Sequence, residues 1–197
     1  MDNQKEEILQ KIEEAEYVLV GLGQEFDMEF FLQSREDYRR IREQLQQQNV
    51  LWLLPYVEAQ FRKQYMPEME AEIEKGLQKL AKVLEKKSYF VVSSSMNHKL
   101  AEVPWKKMLL KKERFVAPCG DWTKKQCPDG CEEGIQTVTE ADEEQLQESF
   151  KKLQTNGFSV PDLGKCPKCG KKLVLNNVYA GRYDEKGYLK TWTEYQN

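Results

Sequence analysis

Four of the five cysteines fall in two close pairs: Cys127 and Cys131 in "QCPDGCEEG", then Cys166 and Cys169 in "KCPKCGKK". The first pair is separated by three residues and the second by two, with Gly170 directly after it. A two-residue spacing lets both thiolates of a tight turn point at one tetrahedral centre while backbone N–H groups face the sulfurs. The glycine permits the positive φ that closes such a turn. Two pairs complete a four-thiolate site with no open position for water, which describes structural zinc rather than catalytic zinc. Lys165, Lys168, Lys171 and Lys172 offset the negative charge of such a centre and need not read phosphates. A redox pair, a disulfide and an iron–sulfur cluster are the competing readings. Paired cysteines in a reducing compartment favour a metal over a disulfide.

The elements that must carry these ligands follow from periodicity. "EEILQKIEEAE" reads as an amphipathic helix and runs into "YVLVGLG" (17–23), an apolar strand ending in a glycine turn, the pattern of a buried parallel strand. Residues 34–65 are helical, with Ser34 as an N-cap and an expected kink or break at Pro55. Residues 68–87 form the clearest helix, with Met69, Ile73, Leu77, Leu80 and Leu84 on one face. "SYFVVSSS" (88–95) and "ERFVAPCG" (113–120) read as further strands. A charged helix follows over 142–154, then the second cysteine pair. "KKLVLNNVYAG" leaves it as a strand, and "YLKTWTEYQ" ends the chain as a helix. Strands separated by helices predict an α/β fold with a Rossmann-like parallel sheet and an inserted four-cysteine module. The expected divisions are a Rossmann-like part over 1–118, a zinc-binding module over 119–172, and a return strand and helix over 173–197.

Composition narrows the function. Charge is balanced, with 14 basic and 18 acidic side chains in residues 1–100 and 16 and 15 in the remainder. Neither half is the basic surface that backbone binding to nucleic acid leaves in a composition, so nucleic acid is disfavoured as a partner. No apolar run approaches a membrane span and no signal-peptide core opens the chain, so a cytoplasmic location without membrane contact is expected.

The order of these pieces resembles the sirtuin family, NAD-dependent deacylases and ADP-ribosyltransferases, and in particular its bacterial macrodomain-linked branch. "AEYVLVGLG" is similar to that family's first strand and nucleotide loop, and "YFVVSSSMNHKL" to its polar loop. "RFVAPCGDWTKKQC" resembles the segment that carries the acid/base residue into the zinc module, and "KCPKCGKKLVLNN" the return to the sheet. The resemblance implies NAD as cofactor, with Gly21, Gly23, Ser95 and Asn97 as cofactor-binding residues and Cys119 in the catalytic position. All three loops then lie at strand C-termini, where open α/β sheets place their ligands.

The chain departs from that pattern at each of these loops. The small residues after Gly23 are replaced by Gln24, Glu25, Phe26 and Asp27. Two acids there would repel a pyrophosphate by about 1 kcal/mol or more each, or would themselves take the loop N–H groups in place of phosphate. Ser95 is shorter than the family's asparagine. The family's catalytic histidine falls at Cys119, a thiol mostly protonated at neutral pH, and the only histidine, His98, sits in another loop. A sirtuin-type sheet is completed by further strand–helix units, whereas this chain ends at Asn197, which implies a cleft open on one side and an uncovered sheet edge. A protein partner or a second copy would cover that edge. Three functions remain open at this level. One is a zinc-binding protein with a degenerate NAD cleft that binds nucleotide (NAD or ADP-ribose) or protein with weak or no catalysis. Another is an active NAD-dependent deacylase or ADP-ribosyltransferase with a rearranged site. The third is a zinc-ribbon module that binds protein or single-stranded nucleic acid through Trp105, Trp122 or Trp192.

Overall fold

A computed structural model describes residues 2–103, 105, 114–131 and 135–196. The chain opens with α1 (Asp2–Glu14) and enters β1 (Tyr17–Leu22). A 3-10 turn at Gln24–Asp27 leads to α2 (Glu29–Gln33), α3 (Glu36–Gln47), a second 3-10 turn at Leu51–Leu53, α4 (Leu54–Tyr65) and α5 (Pro67–Leu84). Then come β2 (Ser88–Ser93), the single turn α6 (Lys99–Glu102) and β3 (Phe115–Val116). The remainder is β4 (Gly120–Gln126), β5 (Gln136–Thr137), α7 (Glu140–Gln154), β6 (Val174–Asn177) and α8 (Lys186–Gln196).

Two sheets result. The first is parallel, in the order β1-β2-β3, with Tyr17 to Leu22 facing Ser88 to Ser93 in register. This gives the α/β class expected from the sequence. The second sheet is antiparallel, in the order β5-β4-β6. The strand expected to return to the parallel sheet is β6, and it pairs with β4 instead. α8 does reach back, packing against β3 and laying Tyr195 on Phe90 with ring centroids 4.0 Å apart. The strand expected over 113–120 starts at Glu113, outside the described residues. Its described part ends at Val116, and the chain then turns through Gly120 into the second sheet. Gly120 has φ +71° and its Cα hydrogens face the backbone of Asn176 and Asn177, so a side chain there would strike β6.

Each sheet has its own apolar core. Leu22, Tyr89 and Val91 pack with Leu77, Ala81 and Leu84 of α5 and with Leu100 and Trp105. The second core joins Tyr38, Ile41 and Leu45 of α3 and Phe61 of α4 to Leu146, Phe150 and Leu153 of α7, and to Leu163, Leu173, Cys127 and Cys166 of the cysteine module. The module is thus built into the helical layer. A buried ion pair fastens it further: Lys125 Nζ donates to both Asp142 oxygens at 2.8 and 2.7 Å and to the Leu163 carbonyl at 2.9 Å. Asp142 also completes a capping box with Thr139 at the start of α7.

Two local expectations are corrected. Pro55 lies in the first turn of α4, where its missing N–H costs nothing, so it starts a helix rather than kinking one. Ser34 closes α2, its hydroxyl donating to the Phe31 carbonyl at 2.7 Å, and Arg35 stands at the start of α3.

Candidate metal centre and the loops at the strand ends

The cysteine pairs are brought together by two similar turns. Cys127 directly follows β4 and its carbonyl accepts the Gly130 N–H at 3.0 Å; in the second turn the Cys166 carbonyl accepts the Gly170 N–H at 2.8 Å. Gly170 has φ +73°, the left-handed conformation that its place after the pair requires. The Cys166 N–H donates to the Lys171 carbonyl at 2.8 Å, and an antiparallel bridge between Lys165 and Lys172 closes the knuckle.

The four sulfurs all lie within 4.8 Å of one another. Zinc–sulfur bonds of about 2.3 Å in a tetrahedron separate sulfurs by roughly 3.8 Å, and the Cys127 to Cys169 sulfur distance is 3.5 Å. The donor set therefore fits one zinc ion held by Cys127, Cys131, Cys166 and Cys169. Burial works to raise the Cys127 pKa, but the N–H groups of Cys131 and Asp129 and the neighbouring thiols outweigh it and bring the group down to about 7. Those N–H donors favour the thiolate that a metal needs. Of the nearby lysines, Lys171 is engaged by Asp129 at 2.8 Å. Four protein sulfurs would fill a tetrahedral centre and leave no position for a substrate.

The loops at the strand ends tell a different story. Gly21 lies on the open face of β1 with free space around it, and the Glu25 side chain covers Gly23. Ser95 and Asn97 are buried, and their partners lie within the protein. The Ser95 hydroxyl donates to Asp27 Oδ1 at 2.6 Å, and the Met96 N–H donates to the same oxygen at 2.8 Å. Asn97 Nδ2 donates to the Phe26 carbonyl at 3.0 Å, while its Oδ1 accepts the Lys99 N–H at 3.2 Å. Burial pushes the Asp27 pKa up against the opposing pull of Ser95 and Arg62. An acid from the first loop thus fastens the second one.

Cys119 is half-buried, and desolvation together with the Asp27 charge raises its pKa, which disfavours the thiolate that a base or nucleophile would need. Burial holds His98 at about 4, hence neutral at physiological pH. Its Nδ1 accepts the Trp122 indole N–H at 3.0 Å, and Trp122 in turn packs edge-on against Tyr56. Both His98 and Trp122 are therefore committed to packing.

Sequence reasoning missed a buried polar group behind these loops. Glu58 accepts the Tyr38 hydroxyl at 2.7 Å. Arg62 is wholly buried, donates to the Asp27 carbonyl at 3.2 Å and reaches Glu70 at 3.1 Å. The signal was available: Glu58 and Arg62 sit four apart on an otherwise apolar stretch, "VLWLLPYVEAQF" and its continuation.

No family model matches the chain, and comparison with curated proteins finds no match.

Proposed function

We propose that this chain is a zinc-clamped binding protein of sirtuin-like, Rossmann-like layout whose nucleotide loop is shut by its own acid. Its work is then association with protein, with NAD turnover weak or absent. The observation that carries this reading is the Asp27 carboxylate, which takes the Ser95 hydroxyl and the Met96 N–H. In that layout an open nucleotide cleft leaves loop N–H groups free for phosphate. Here the acid of the first loop is spent on fastening the second, and another acid, Glu25, stands over Gly23 where a phosphate would approach. The raised pKa of Cys119 supports the absence of catalysis.

Calorimetric titration of NAD and ADP-ribose into zinc-loaded protein tests the proposal. No heat is expected at millimolar ligand. Glu25→Ala, which uncovers Gly23, is expected to gain measurable ADP-ribose binding. Micromolar binding to the unaltered protein, abolished by Gly23→Asp, would overturn the reading and return the chain to the active NAD-dependent enzymes.

A further inference from the structure

The Ser94 N–H donates to the Leu22 carbonyl at 2.9 Å, and Leu22 pairs with Ser93 in the parallel register. In such a ladder a residue bonded this way turns both its N–H and its carbonyl toward the neighbouring strand, and every second residue does the same. Leu22, Val20 and Val18 therefore spend their backbone groups on β2. Those of Tyr17, Leu19 and Gly21 point the other way, to the edge where β1 has no strand beside it among the described residues. No hydrogen bond among the described residues reaches them from another element. The side chains of Tyr17 and Leu19 are exposed, and the space above Gly21 is empty. Ile12 of α1 packs on the opposite face, with Val18 and Val20.

Proteins that keep an edge strand single guard it with charged side chains, a proline or a bulge. "YVLVGL" has no charged residue and no proline, and its register with β2 is unbroken. The outward residues also match themselves. An antiparallel copy of the strand satisfies Tyr17, Leu19 and Gly21 together only when the two-fold axis passes through the middle one, Leu19. That register sets Leu19 against Leu19 and Tyr17 against Gly21 of the other copy. Glycine weakens a strand because it has no side chain to pack, and an aromatic ring directly across from it makes good that loss. The exposed ring and the empty space above a glycine here belong to the same short strand.

We propose that β1 pairs antiparallel with β1 of a second copy about a two-fold axis at Leu19, Tyr17 of each chain covering Gly21 of the other. This pairing rests on the proposed association with protein and makes the chain its own partner. A ladder this short buries little surface, so the dimer is reversible.

Amide hydrogen exchange on zinc-loaded protein, followed by NMR at tens of micromolar and near millimolar concentration, tests the pairing. The amides of Tyr17, Leu19 and Gly21 are expected to exchange several-fold slower in the concentrated sample. Those of Val18, Val20 and Leu22 are held by β2 and are expected to be protected in both, which reports an intact fold. In a sample mixed from labelled and unlabelled chains, a nuclear Overhauser effect is expected between the Tyr17 ring and the Gly21 α-hydrogens of the other chain. Leu19→Lys sets two ammonium groups opposite each other and is expected to abolish both effects while the Val20 amide stays protected. Edge amides that exchange freely at every concentration would overturn self-pairing and leave the edge to a strand of another protein. The NAD titration decides separately whether the nucleotide loop is shut. Protected edge amides without the Tyr17–Gly21 contact would overturn the register. Protection that survives both dilution and Leu19→Lys would show the edge covered from within the chain and would overturn the pairing as well.

Discussion

Asp27 and Glu58 are both carboxyl groups withdrawn from water, and they differ in how they are supported. Asp27 accepts a hydroxyl and a backbone N–H on one oxygen. Glu58 is 3% exposed and accepts the Tyr38 hydroxyl. Burial raises its pKa to about 7, against the opposing pull of Tyr38 and Arg62. The sign of the linkage follows directly. In the unfolded chain the group ionises near its ordinary value of about 4.3, so between there and about 7 the folded protein binds more protons. Stability from this group therefore falls as pH rises through that window, by up to about 3 kcal/mol. Glu58→Gln keeps an acceptor for Tyr38 and has no charge to bury. It is expected to flatten the stability profile between pH 4.5 and 7 and to raise stability at pH 8 by about 1–3 kcal/mol. Urea denaturation at several pH values reads this out, and an unchanged slope would show that Glu58 is already fully compensated by Arg62. Neither acid's environment was legible in the sequence in full. The competition of Asp27 for loop donors follows from placing an acid where phosphate would sit, but its partner Ser95 is 68 positions away, beyond any local pattern.

β1 illustrates the same limit for an element. The alternation Tyr17, Leu19, Gly21 against Val18, Val20, Leu22 divides the strand into two faces. The second set packs toward α5, while Leu19 remains 62% exposed and Tyr17 74%. Leu19 pairs in register with Phe90, which shares its face and is covered by Tyr195 of α8. β1 is also an edge of the parallel sheet among the described residues. A parallel strand is normally buried on both faces, and an uncovered apolar edge is a template for pairing. If the proposed association is with a second copy, this edge is where it would pair. Antiparallel β1–β1′ pairing across a two-fold axis would place Leu19 of each chain against the other and make one six-stranded sheet. Sedimentation velocity is expected to show a dimer that dissociates on dilution. Leu19→Lys is expected to yield a monomer whose thermal midpoint matches that of the wild type diluted into its monomeric range, because the position is exposed within one chain. A wild-type protein that stays monomeric at hundreds of micromolar would exclude self-pairing. β1, β2, β3 and β6 were legible from apolar runs, but the polar strands β4 and β5 were not, and neither was strand partnership. "KKLVLNNVYAG" reads equally well as the next parallel strand, and it pairs with β4 because Gly120 admits its backbone closely. Pro55 misled for a related reason, since sequence shows the break in pattern without showing that the break is a helix start.

At the scale of the whole molecule the cysteines matter because of where their neighbours lie. Their spacing was fully legible, being a property of two short turns. Their place in the larger core was not. Cys127 and Cys166 are 0% and 2% exposed and pack in one apolar cluster with α3, α4 and α7, whereas the parallel sheet packs in another. A zinc ion across the four thiolates would thus hold the helical core together through the 127–131 and 166–169 turns. Structural zinc contributes on the order of 10 kcal/mol or more to small domains. Removing it should cost this chain on the order of 10 °C or more in thermal midpoint. The two cores should not respond alike. Trp52 lies in the helical core and Trp122 packs against it, while Trp105 lies in the sheet core with its N–H on Leu100. With a strong zinc chelator, the indole N–H signals of Trp52 and Trp122 are expected to shift or broaden first, and that of Trp105 to hold. Elemental analysis before chelation is expected to give one zinc per chain. Retention of all three signals with the metal gone would show that the thiols are only neighbours and that packing alone secures the module. Simultaneous loss of all three would show that the two cores fold as a single unit, with the metal securing the parallel sheet as much as the helices.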